Sequence, residues 1–433
     1  MSTATPTPKP EALGKQALIL AIVLGILASL GAAIYLSFVT HVQTWLWTTL
    51  PDDLGLDRTP PWLTFALLLL GAGVVAIAWR LPGGTGKSPL TGLHFDVTPK
   101  DAGSILLAAA GSLIFGFVLG PEAPLIILGT TIGALVLRGR PQPVVQLGML
   151  LGGAAAIGLI LGNPFVTAFM LLEFSAMGAM PAIVLVPAFV ALGTGYLTQV
   201  GVGAWSGLHA HALTVPGMPA YTEETFRDLA FGALISVIAG LIAGVVREFG
   251  EQVADVAKRH RVVVLVGVAL LTGALAVFIA EARDVDVSLV LFSGEDGMGE
   301  LLAQTSVATV ILVVIAKAIA YGLALGGGYR GGPIFPATYL GVGVGLAASL
   351  LVSDLSVSPM AAAGIAASVT VLLRLPFTSA LLAMLLVGTA GAAVAPFAIM
   401  GAVIGFGMRQ ALDRFDAKRE PRINIEGEVV HGS

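Results

Sequence analysis

The chain has 433 residues, of which 56% are hydrophobic and only 11% are charged. This composition is typical of a protein that crosses the membrane several times, and it excludes an ordinary soluble domain. A formal net charge of −4 gives no indication of a nucleic-acid partner. The absence of cysteine excludes disulfides, thiolate metal sites and a cysteine nucleophile.

Apolar runs follow one another along the chain, and several are shorter than the ~20 residues that a helix needs to span a bilayer. Gly and Pro separate them, which predicts an all-α membrane protein with tilted and broken helices that meet inside the membrane. The first run is too long for a signal peptide and is expected to remain as the first helix. The predicted runs are residues 17–39, 62–79, 104–119, 125–137, 144–161, 164–177, 181–199, 227–246, 262–280, 306–326, 334–352, 360–373, 376–393 and 395–411.

Two membrane halves are expected, residues 16–200 and residues 227–411. The Pro/Thr/Lys-rich residues 1–15 are predicted to be a disordered cytoplasmic N-terminus. Residues 201–226 contain few Lys or Arg and are predicted to be an extracytoplasmic loop, whereas the charged residues 412–433 are predicted to be a cytoplasmic tail of a cell-membrane protein. The basic connections on which this orientation depends are residues 247–261 and 409–422.

The sequence Gly-Pro-Glu-Ala-Pro at residues 120–124 lies between two apolar runs, and Glu122 is the only carboxylate in residues 102–172. A carboxylate at bilayer depth is costly and indicates a functional site. Pro121 and Pro124 end one helix and fit the first turn of the next. Glu122 is therefore predicted at a helix N-terminus, where free amides attract anions; a purely structural helix cap is the alternative.

A second Gly-Pro-x-x-Pro pattern follows 212 residues later, at Gly332–Pro336 (332 − 120 = 212). The same offset matches further positions, without a gap, as far as Ala168 and Ala380. A register of this length indicates an internal duplication. Paired apolar segments that Gly and Pro interrupt at matching places are typical of a transporter binding site. The other matched pairs are Gly129 with Gly341, Gly133 with Gly345, Gly152 with Gly364, Ala155 with Ala367, Pro164 with Pro376, and Phe165 with Phe377.

Three motifs resemble those of the CLC family of chloride channels and chloride/proton antiporters, and their order and spacing along the chain make the resemblance fairly specific. Gly120–Pro124 is similar to the family's Gly-Arg/Lys-Glu-Gly-Pro, Gly331–Pro336 to its Gly-x-Phe-x-Pro, and Gly84–Pro89 to its Gly-Ser-Gly-Ile-Pro. Pro164–Glu173 resembles the family helix that carries the inner glutamate. The resemblance covers nearly all of residues 16–411. It implies a CLC-like inverted-repeat fold, a homodimer with one pathway per subunit, and an anion site where helix N-termini converge.

The resemblance also implies roles for individual residues. Glu122 would be a gate whose carboxylate occupies an anion site and leaves it when protonated or displaced. Thr85 takes the position of the family's serine and is expected to donate a hydroxyl hydrogen bond, whereas Pro333 has no N–H to offer. Lys317 lies in an apolar run, where it either pairs internally or adds to the positive potential of the pathway. The anion-binding residues expected from the match are Thr85, Gly86, Lys87, Ser88, Gly120, Pro121, Ala123, Gly332, Pro333, Ile334 and Phe335.

Some positions depart from the family pattern. Lys87 stands where the family usually has an apolar residue; it would either strengthen anion attraction or extend to the lipid headgroups. The inner proton glutamate of the family is the second of two adjacent positions. In this chain Glu173 fills the first position and Phe174 fills the second. Glu173 is therefore either a proton-pathway residue or an ordinary helix-end residue. No tyrosine follows Tyr339 to match the family's inner tyrosine, and short bacterial members of the ion-channel type resemble this chain better than the well-known antiporters do.

The sequence thus predicts transmembrane anion transport that Glu122 gates, with chloride as the first candidate and fluoride or nitrate as alternatives. Channel-like conduction is preferred, and chloride/proton antiport is the alternative mechanism. A non-transporting scaffold or a membrane enzyme is the alternative of another class, but no nucleophile–base pair supports an enzyme. His209 and His211 lack a third ligand nearby, so neither a metal nor another cofactor is expected. The expected partners are the transported anion, the lipid bilayer and a second copy of the chain.

Overall fold

The computed structural model describes residues 10–95, 97–178, 180–206, 214–222, 224–419, 422–423 and 429–430. Over these residues the protein is almost entirely helical, as the apolar runs predict. Nine of the described helical segments are long and apolar enough to cross a membrane, and four shorter apolar helices accompany them. The chain is therefore a multi-pass membrane protein with an all-α fold.

Sixteen α-helices follow one another along the described chain. In the first half they are α1 (Pro10–Thr44), α2 (Leu50–Asp53), α3 (Pro61–Ala78), α4 (Pro99–Leu113), α5 (Glu122–Val136), α6 (Gln142–Ile160), α7 (Pro164–Ala176) and α8 (Leu185–Ser206). In the second half they are α9 (Phe226–Arg259), α10 (Arg261–Arg283), α11 (Met298–Leu302), α12 (Val307–Gly326), α13 (Ile334–Leu351), α14 (Val357–Leu373), α15 (Pro376–Leu386) and α16 (Ala395–Arg419). The shorter elements are a π-helical turn (Trp45–Thr49), 3₁₀ turns at Pro89–Thr91, Ala182–Val184, Val287–Leu289, Gly388–Ala390 and Ala392–Val394, and the antiparallel strands Arg422–Ile423 and Val429–Val430.

Proline residues decide where several helices begin. The helices α3, α4, α7 and α15 each start with proline, at the position where a missing N–H removes no intrahelical hydrogen bond. In front of α7, the Asn163 side-chain oxygen accepts a hydrogen bond from the Phe165 N–H at 2.9 Å and satisfies another free amide. The starts of α5 and α13 are 212 residues apart (334 − 122), and so are those of α7 and α15 (376 − 164).

Glycines let the central helices of each half pack at backbone distance. In the first half α5 packs against α6, where Gly129 faces the backbone of Gly152. In the second half α13 packs against α14, where Gly341 faces Gly364. A Cβ atom at any of these four positions would overlap the facing backbone. Close backbone approach of this kind is typical of helix contacts in membranes, where small residues allow dense packing.

Helix α13 lies in the centre of the molecule. It is buried without a break from Ile334 to Ala348. Other parts of the protein therefore surround this helix and separate it from lipid. By contrast, α10 leaves large apolar side chains such as Val263 and Phe278 exposed, as expected of a helix in contact with lipid. The N-terminus of α13 therefore opens into the interior of the protein.

The N-terminal boundary differs from the prediction for residues 1–15. Helix α1 begins at Pro10, so the helix takes in part of the segment for which disorder was expected. Residues 1–9 lie outside the described residues. Between the halves, α8 continues to Ser206, into the predicted loop 201–226.

The basic segments 247–261 and 409–422 were expected to be connections, and the structure corrects this. Helix α9 continues through most of the first segment to Arg259, and α16 continues through most of the second to Arg419. Arg247 is buried inside α9 and pairs with Glu251 one turn later, at 2.5 Å. Ion pairs at this spacing stabilise a helix, which lets it run past its apolar stretch.

Candidate functional site

The two Gly-Pro motifs of the sequence lie side by side. Gly120 and Gly332 form an isolated antiparallel bridge, with N···O distances of 2.7 Å from the Gly120 N–H and 2.5 Å from the Gly332 N–H. Just before each glycine, the rings of Phe117 and Tyr329 stack with centroids 3.6 Å apart. The tertiary structure therefore brings together two segments that lie 212 residues apart in the chain.

Glu122 is the first residue of α5 and is completely buried. Its carboxylate reaches across to the N-terminus of α13, where Oε1 accepts a hydrogen bond from the Phe335 N–H at 2.9 Å. The N–H groups of Ile334 and of Glu122 itself also interact with the carboxylate. Among the described residues, Oε2 has no hydrogen-bond partner. The side chain thus fills an anion position that backbone amides form at a helix N-terminus.

Gly120 and Gly332 leave the space that this carboxylate occupies. A Cβ atom at either position would overlap the Glu122 carboxylate. Both residues lie at ordinary negative φ, so the requirement for glycine comes from the close approach of the side chain and not from backbone strain. The predicted residues Gly120, Glu122, Gly332 and Phe335 are therefore in direct contact.

Tyr321 on α12 contacts the residue just before α13. Its hydroxyl donates to the Pro333 carbonyl at 2.8 Å, and the residue is completely buried. Pro333 itself has no N–H, so the first free amides of the α13 N-terminus belong to Ile334 and Phe335. Sequence reasoning missed Tyr321, because a tyrosine inside an apolar helix gives no signal of its hydrogen-bond partner.

The segment Gly84–Pro89 is tied to the second half of the chain through Arg330, the residue before Gly331. Thr85 is buried, and its carbonyl, with that of Gly86, accepts hydrogen bonds from the Arg330 guanidinium. The Ser88 hydroxyl oxygen accepts a hydrogen bond from the Leu90 N–H at 3.4 Å and caps the following 3₁₀ turn. Lys87 is exposed. The role of these residues in anion binding stays a prediction.

A cavity of about 170 Å³ lies between this segment and the start of α5. We call it the cationic cavity, because the charged side chains of Lys87 and Arg330 line it. His94 and Asp101 also line it, and the Asp101 carboxylate accepts a hydrogen bond from the Thr98 hydroxyl at 2.6 Å. The rest of the wall that bears on the site is formed by Ser88, Ala123, Pro124 and Gly331.

A second cavity, of about 410 Å³, reaches Pro121, the residue just before Glu122. We call it the acidic cavity, because six carboxylates and one arginine line it. Burial, together with the charges of Asp296 and Glu122, raises the pKa of Glu295 well above its usual range. Residues on either side of Glu122 in sequence thus line two cavities of different charge. The charged residues of the acidic cavity are Asp52, Asp57, Arg58, Asp286, Glu295, Asp296 and Glu300.

Glu173 meets a different helix N-terminus. Its carboxylate accepts hydrogen bonds from the N–H groups of Phe377 and Thr378, each at 2.8 Å, and from the Thr378 hydroxyl. These contacts link the last turns of α7 to the first turn of α15, and Glu173 is buried. The arrangement satisfies the carboxylate fully with a helix N-terminus, as an N-terminal cap does.

Two cations are held by backbone carbonyls, the buried Lys317 and the half-buried Arg330. On α12, Lys317 is completely buried and donates to the carbonyls of Leu289, Val290 and Leu291 at 3.2, 3.3 and 2.7 Å. The sequence singled out Lys317 from its apolar surroundings without showing these partners. Arg330 gave no signal, because it stands next to a motif and not inside it. The alternative metal ligands His209 and His211 lie outside the described residues.

Comparisons with known proteins identify the family of this chain. The family model described as "Voltage gated chloride channel" matches residues 87–410. The curated protein "Putative ion-transport protein YfeO" of Escherichia fergusonii is 28% identical over 339 residues, which cover 75% of this chain and 77% of that protein. A protein of the same name from Escherichia coli is 27% identical over 339 residues, with the same coverage.

Solved structures share the fold. A slow cyanobacterial Cl−/H+ antiporter matches with a TM-score of 0.74 and 18% identity, covering 96% of this chain and 100% of the antiporter chain. A CLC-type fluoride/proton antiporter matches with a TM-score of 0.67 and 17% identity, covering 94% and 98%. At these identities the comparison shows the fold alone. Because the family model matches well over half of the chain, this protein belongs to the voltage-gated chloride channel (CLC) family of membrane anion transporters.

Proposed function

We propose that this protein moves chloride across the membrane along a pathway that Glu122 closes, and that it conducts as a channel rather than by tight exchange for protons. One observation carries the proposal. The Glu122 carboxylate, fully buried, accepts a hydrogen bond from the Phe335 N–H at the α13 N-terminus. A chloride ion and a carboxylate both bind such amides, so the side chain and the ion compete for one position.

Opening then requires that the carboxylate leave the amides. Protonation removes its charge and weakens the hydrogen bond from the Phe335 N–H, because bonds to an ionised acceptor are about twice as strong as neutral ones. Chloride at high concentration can also displace the carboxylate from the amides. In either case the vacated amides at Ile334 and Phe335 bind the ion that passes.

The preference for conduction rests on Glu173. Its carboxylate is held by two N–H groups and a hydroxyl of α15, so a proton on it would cost these charge-assisted bonds. Phe174, which follows it, cannot carry a proton. A proton route that is separate from the anion route therefore lacks an obvious inner acid among the described residues.

Chloride/proton antiport is the second candidate, and one observation favours it. Oε2 of the buried Glu122 has no partner among the described residues. In exchange, a transported proton would bind at this oxygen, which has no other hydrogen-bond partner in the described part of the chain. The cyanobacterial and fluoride-type structures of the same fold are named as proton antiporters.

Chloride efflux from liposomes that hold only this protein tests both candidates. We expect the wild type to conduct, Glu122→Ala to conduct several-fold faster, and Glu122→Gln to lose the dependence of the rate on pH. Glu281→Gln, which changes an exposed carboxylate on α10, is the matched control and should leave the rate unchanged.

External pH, recorded in the same experiment, separates the two mechanisms. Uphill proton movement under a chloride gradient would establish exchange, whereas its absence in a conducting protein supports the channel. If the wild type moves neither chloride, fluoride nor nitrate, the proposal of anion transport is wrong.

We further propose a homodimer with one pathway per subunit and both termini on the cytoplasmic side. The Lys and Arg residues near the end of α9 and in α16 support the orientation. Because the chain has no cysteine, a single cysteine can be introduced as Ser2→Cys or Ala254→Cys. Its reaction with a membrane-impermeant maleimide shows on which side of the membrane that position lies. Labelling of both positions from outside intact cells would refute the orientation, and subunit counting in lipid tests the dimer.

A further inference from the structure

The residue just before the second Gly-Pro motif is an arginine whose guanidinium is fixed by backbone carbonyls. Arg330 Nε donates to the Thr85 carbonyl at 2.5 Å, Nη2 to the Gly86 carbonyl at 3.2 Å, and Nη1 to the Tyr329 carbonyl at 2.7 Å. Its own N–H donates to the Ser112 hydroxyl at 2.9 Å. Both the backbone and the side chain of Arg330 are therefore held in one place.

A guanidinium group has five N–H donors. The three contacts with carbonyls use one donor on each nitrogen, which leaves one N–H on Nη1 and one on Nη2 without an acceptor among the described residues. Arg330 lines the cationic cavity, where these donors can meet a ligand. Two N–H groups of one guanidinium form a forked donor pair that suits an anion.

Two further cations and one carboxylate lie near Arg330. Arg261, at the start of α10, lies close enough to repel it electrostatically, and Lys87 lines the same cavity. The one carboxylate in the cavity wall, that of Asp101, accepts a hydrogen bond from Thr98. None of the three carbonyl acceptors of Arg330 carries a formal charge. Because all three of its side-chain acceptors are neutral, Arg330 keeps a positive potential that a mobile anion can neutralise.

We propose that Arg330 binds the transported anion in the cationic cavity, at a position separate from the one that Glu122 occupies. The proposal rests on the proposed function, since it concerns the same pathway. Arg330 also ties the Thr85–Gly86 loop of the first half to the segment before α13 in the second half. Because arginine stays protonated, this site holds its anion at any physiological pH, whether or not Glu122 is charged.

Equilibrium binding of chloride to the purified protein, measured by titration calorimetry, tests the proposal without any transport. With Glu122 in its own anion position, the wild type should bind chloride in the cationic cavity. Arg330→Gln should weaken this binding by at least about tenfold, the loss expected for charge-assisted hydrogen bonds. Lys258→Gln removes an exposed cation on α9 that lines neither cavity and serves as the matched control, with a change of less than about threefold.

A second pair of variants separates the two anion positions. Glu122→Ala should bind one more chloride than the wild type, and Glu122→Ala with Arg330→Gln should keep only the site at the α13 N-terminus. If Arg330→Gln does not yield folded protein, Arg330→Lys takes its place. Lysine keeps the charge but lacks the forked donors, so several-fold weaker binding is expected.

Chloride affinity that is unchanged in Arg330→Gln, or in Arg330→Lys where the first variant does not fold, would overturn the proposal. The result is independent of the proposed function. If chloride binding depends on Arg330 but the protein shows no flux, the proposed site stands and the proposed transport is wrong. If the protein shows flux but its chloride binding does not depend on Arg330, transport stands and the proposed site is wrong.

Discussion

The carboxylate of Glu122 is held by backbone amides of α13 and not by a cation. Its hydrogen bond from the Phe335 N–H is charge-assisted, yet any small anion satisfies the same donor. A lysine or arginine in this position would bind the side chain more tightly and leave no reason for it to move. If Glu122 is the gate that we propose, its hold on the amides is therefore reversible.

Gly332→Ala tests this contact directly. The new Cβ would overlap the Glu122 carboxylate, so the side chain should be displaced and chloride flux should rise several-fold. Adding Glu122→Ala to this variant should then change the flux little. Gly267→Ala on α10, where a Cβ meets no atom within 4 Å, is the control, and its effect on stability should stay within about 1 kcal/mol. Unchanged flux in Gly332→Ala, with the full effect of Glu122→Ala retained, would contradict the gate.

In the described part of the chain, the N-termini of two helices donate hydrogen bonds to buried carboxylates of other helices. Two carboxylates from the first half each cap a helix of the second half: Glu122 caps α13, and Glu173 caps α15. Glu122 has one oxygen without a partner among the described residues, whereas both oxygens of Glu173 are bonded. The same kind of contact therefore leaves one carboxylate oxygen without a partner among the described residues in the first case and satisfies both oxygens in the second.

We expect Glu173→Gln to lower the free energy of unfolding by about 2 kcal/mol, because hydrogen bonds to a charged acceptor are lost. Thr378→Val removes only the hydroxyl donor and should cost about 1 kcal/mol. The apparent melting temperature in detergent measures both, and chloride flux should remain. If Glu173→Gln keeps the melting temperature but abolishes proton movement in an exchanging protein, Glu173 is a proton-pathway residue and not a structural link.

The 3₁₀ turn Val287–Leu289 shows how an element depends on a distant one. The carbonyls of Leu289, Val290 and Leu291 converge on Lys317 of α12, whose ammonium also lies 4.2 Å from the Tyr339 ring centroid. A cation at the carboxyl end of a helical turn is favourable, and here it also satisfies carbonyls that water cannot reach. Lys317 therefore holds the segment that carries Glu295 into the acidic cavity.

At the scale of the whole molecule, the two cavities differ in charge. Six carboxylates and one arginine line the acidic cavity, whereas Lys87 and Arg330 line the cationic cavity. The sum of such charges sets the local concentration of a mobile anion. If the proposed chloride pathway joins these two cavities, its potential is asymmetric and favours chloride at the cationic cavity.

Neutralising Asp52 and Asp57 together, as Asp52→Asn/Asp57→Asn, should raise chloride flux at low ionic strength. Both carboxylates are exposed in the cavity, so the gain should shrink when an impermeant electrolyte brings the Debye length to about 3 Å at 1 M. Asp255→Asn, an exposed carboxylate on α9 that pairs with Lys258, is the control. A gain that persists at high ionic strength would show that these residues act through local contacts and not through their field.

Much of the fold could be predicted from the sequence, because its signals are local or periodic. The apolar runs predict membrane helices, and the prolines at 61, 99, 164 and 376 mark where helices begin. Glu122 could be identified from the sequence because a carboxylate at bilayer depth costs free energy and indicates a function. The helical continuation of residues 247–261 was missed, since hydropathy falls there while the ion pair of Arg247 with Glu251 supports the helix.

By itself, the sequence determined that this is a multi-pass helical protein with a repeated Gly-Pro motif and a carboxylate inside one copy, because composition and spacing are properties of the chain. Only the tertiary structure decided that the two motifs bridge at Gly120 and Gly332, that Glu122 lies on the α13 amides, and that Arg330 faces a cavity beside the loop at Thr85. The reason is physical. The partners in these contacts are backbone N–H and carbonyl groups, which every residue possesses, so only three-dimensional packing selects which of them a side chain meets.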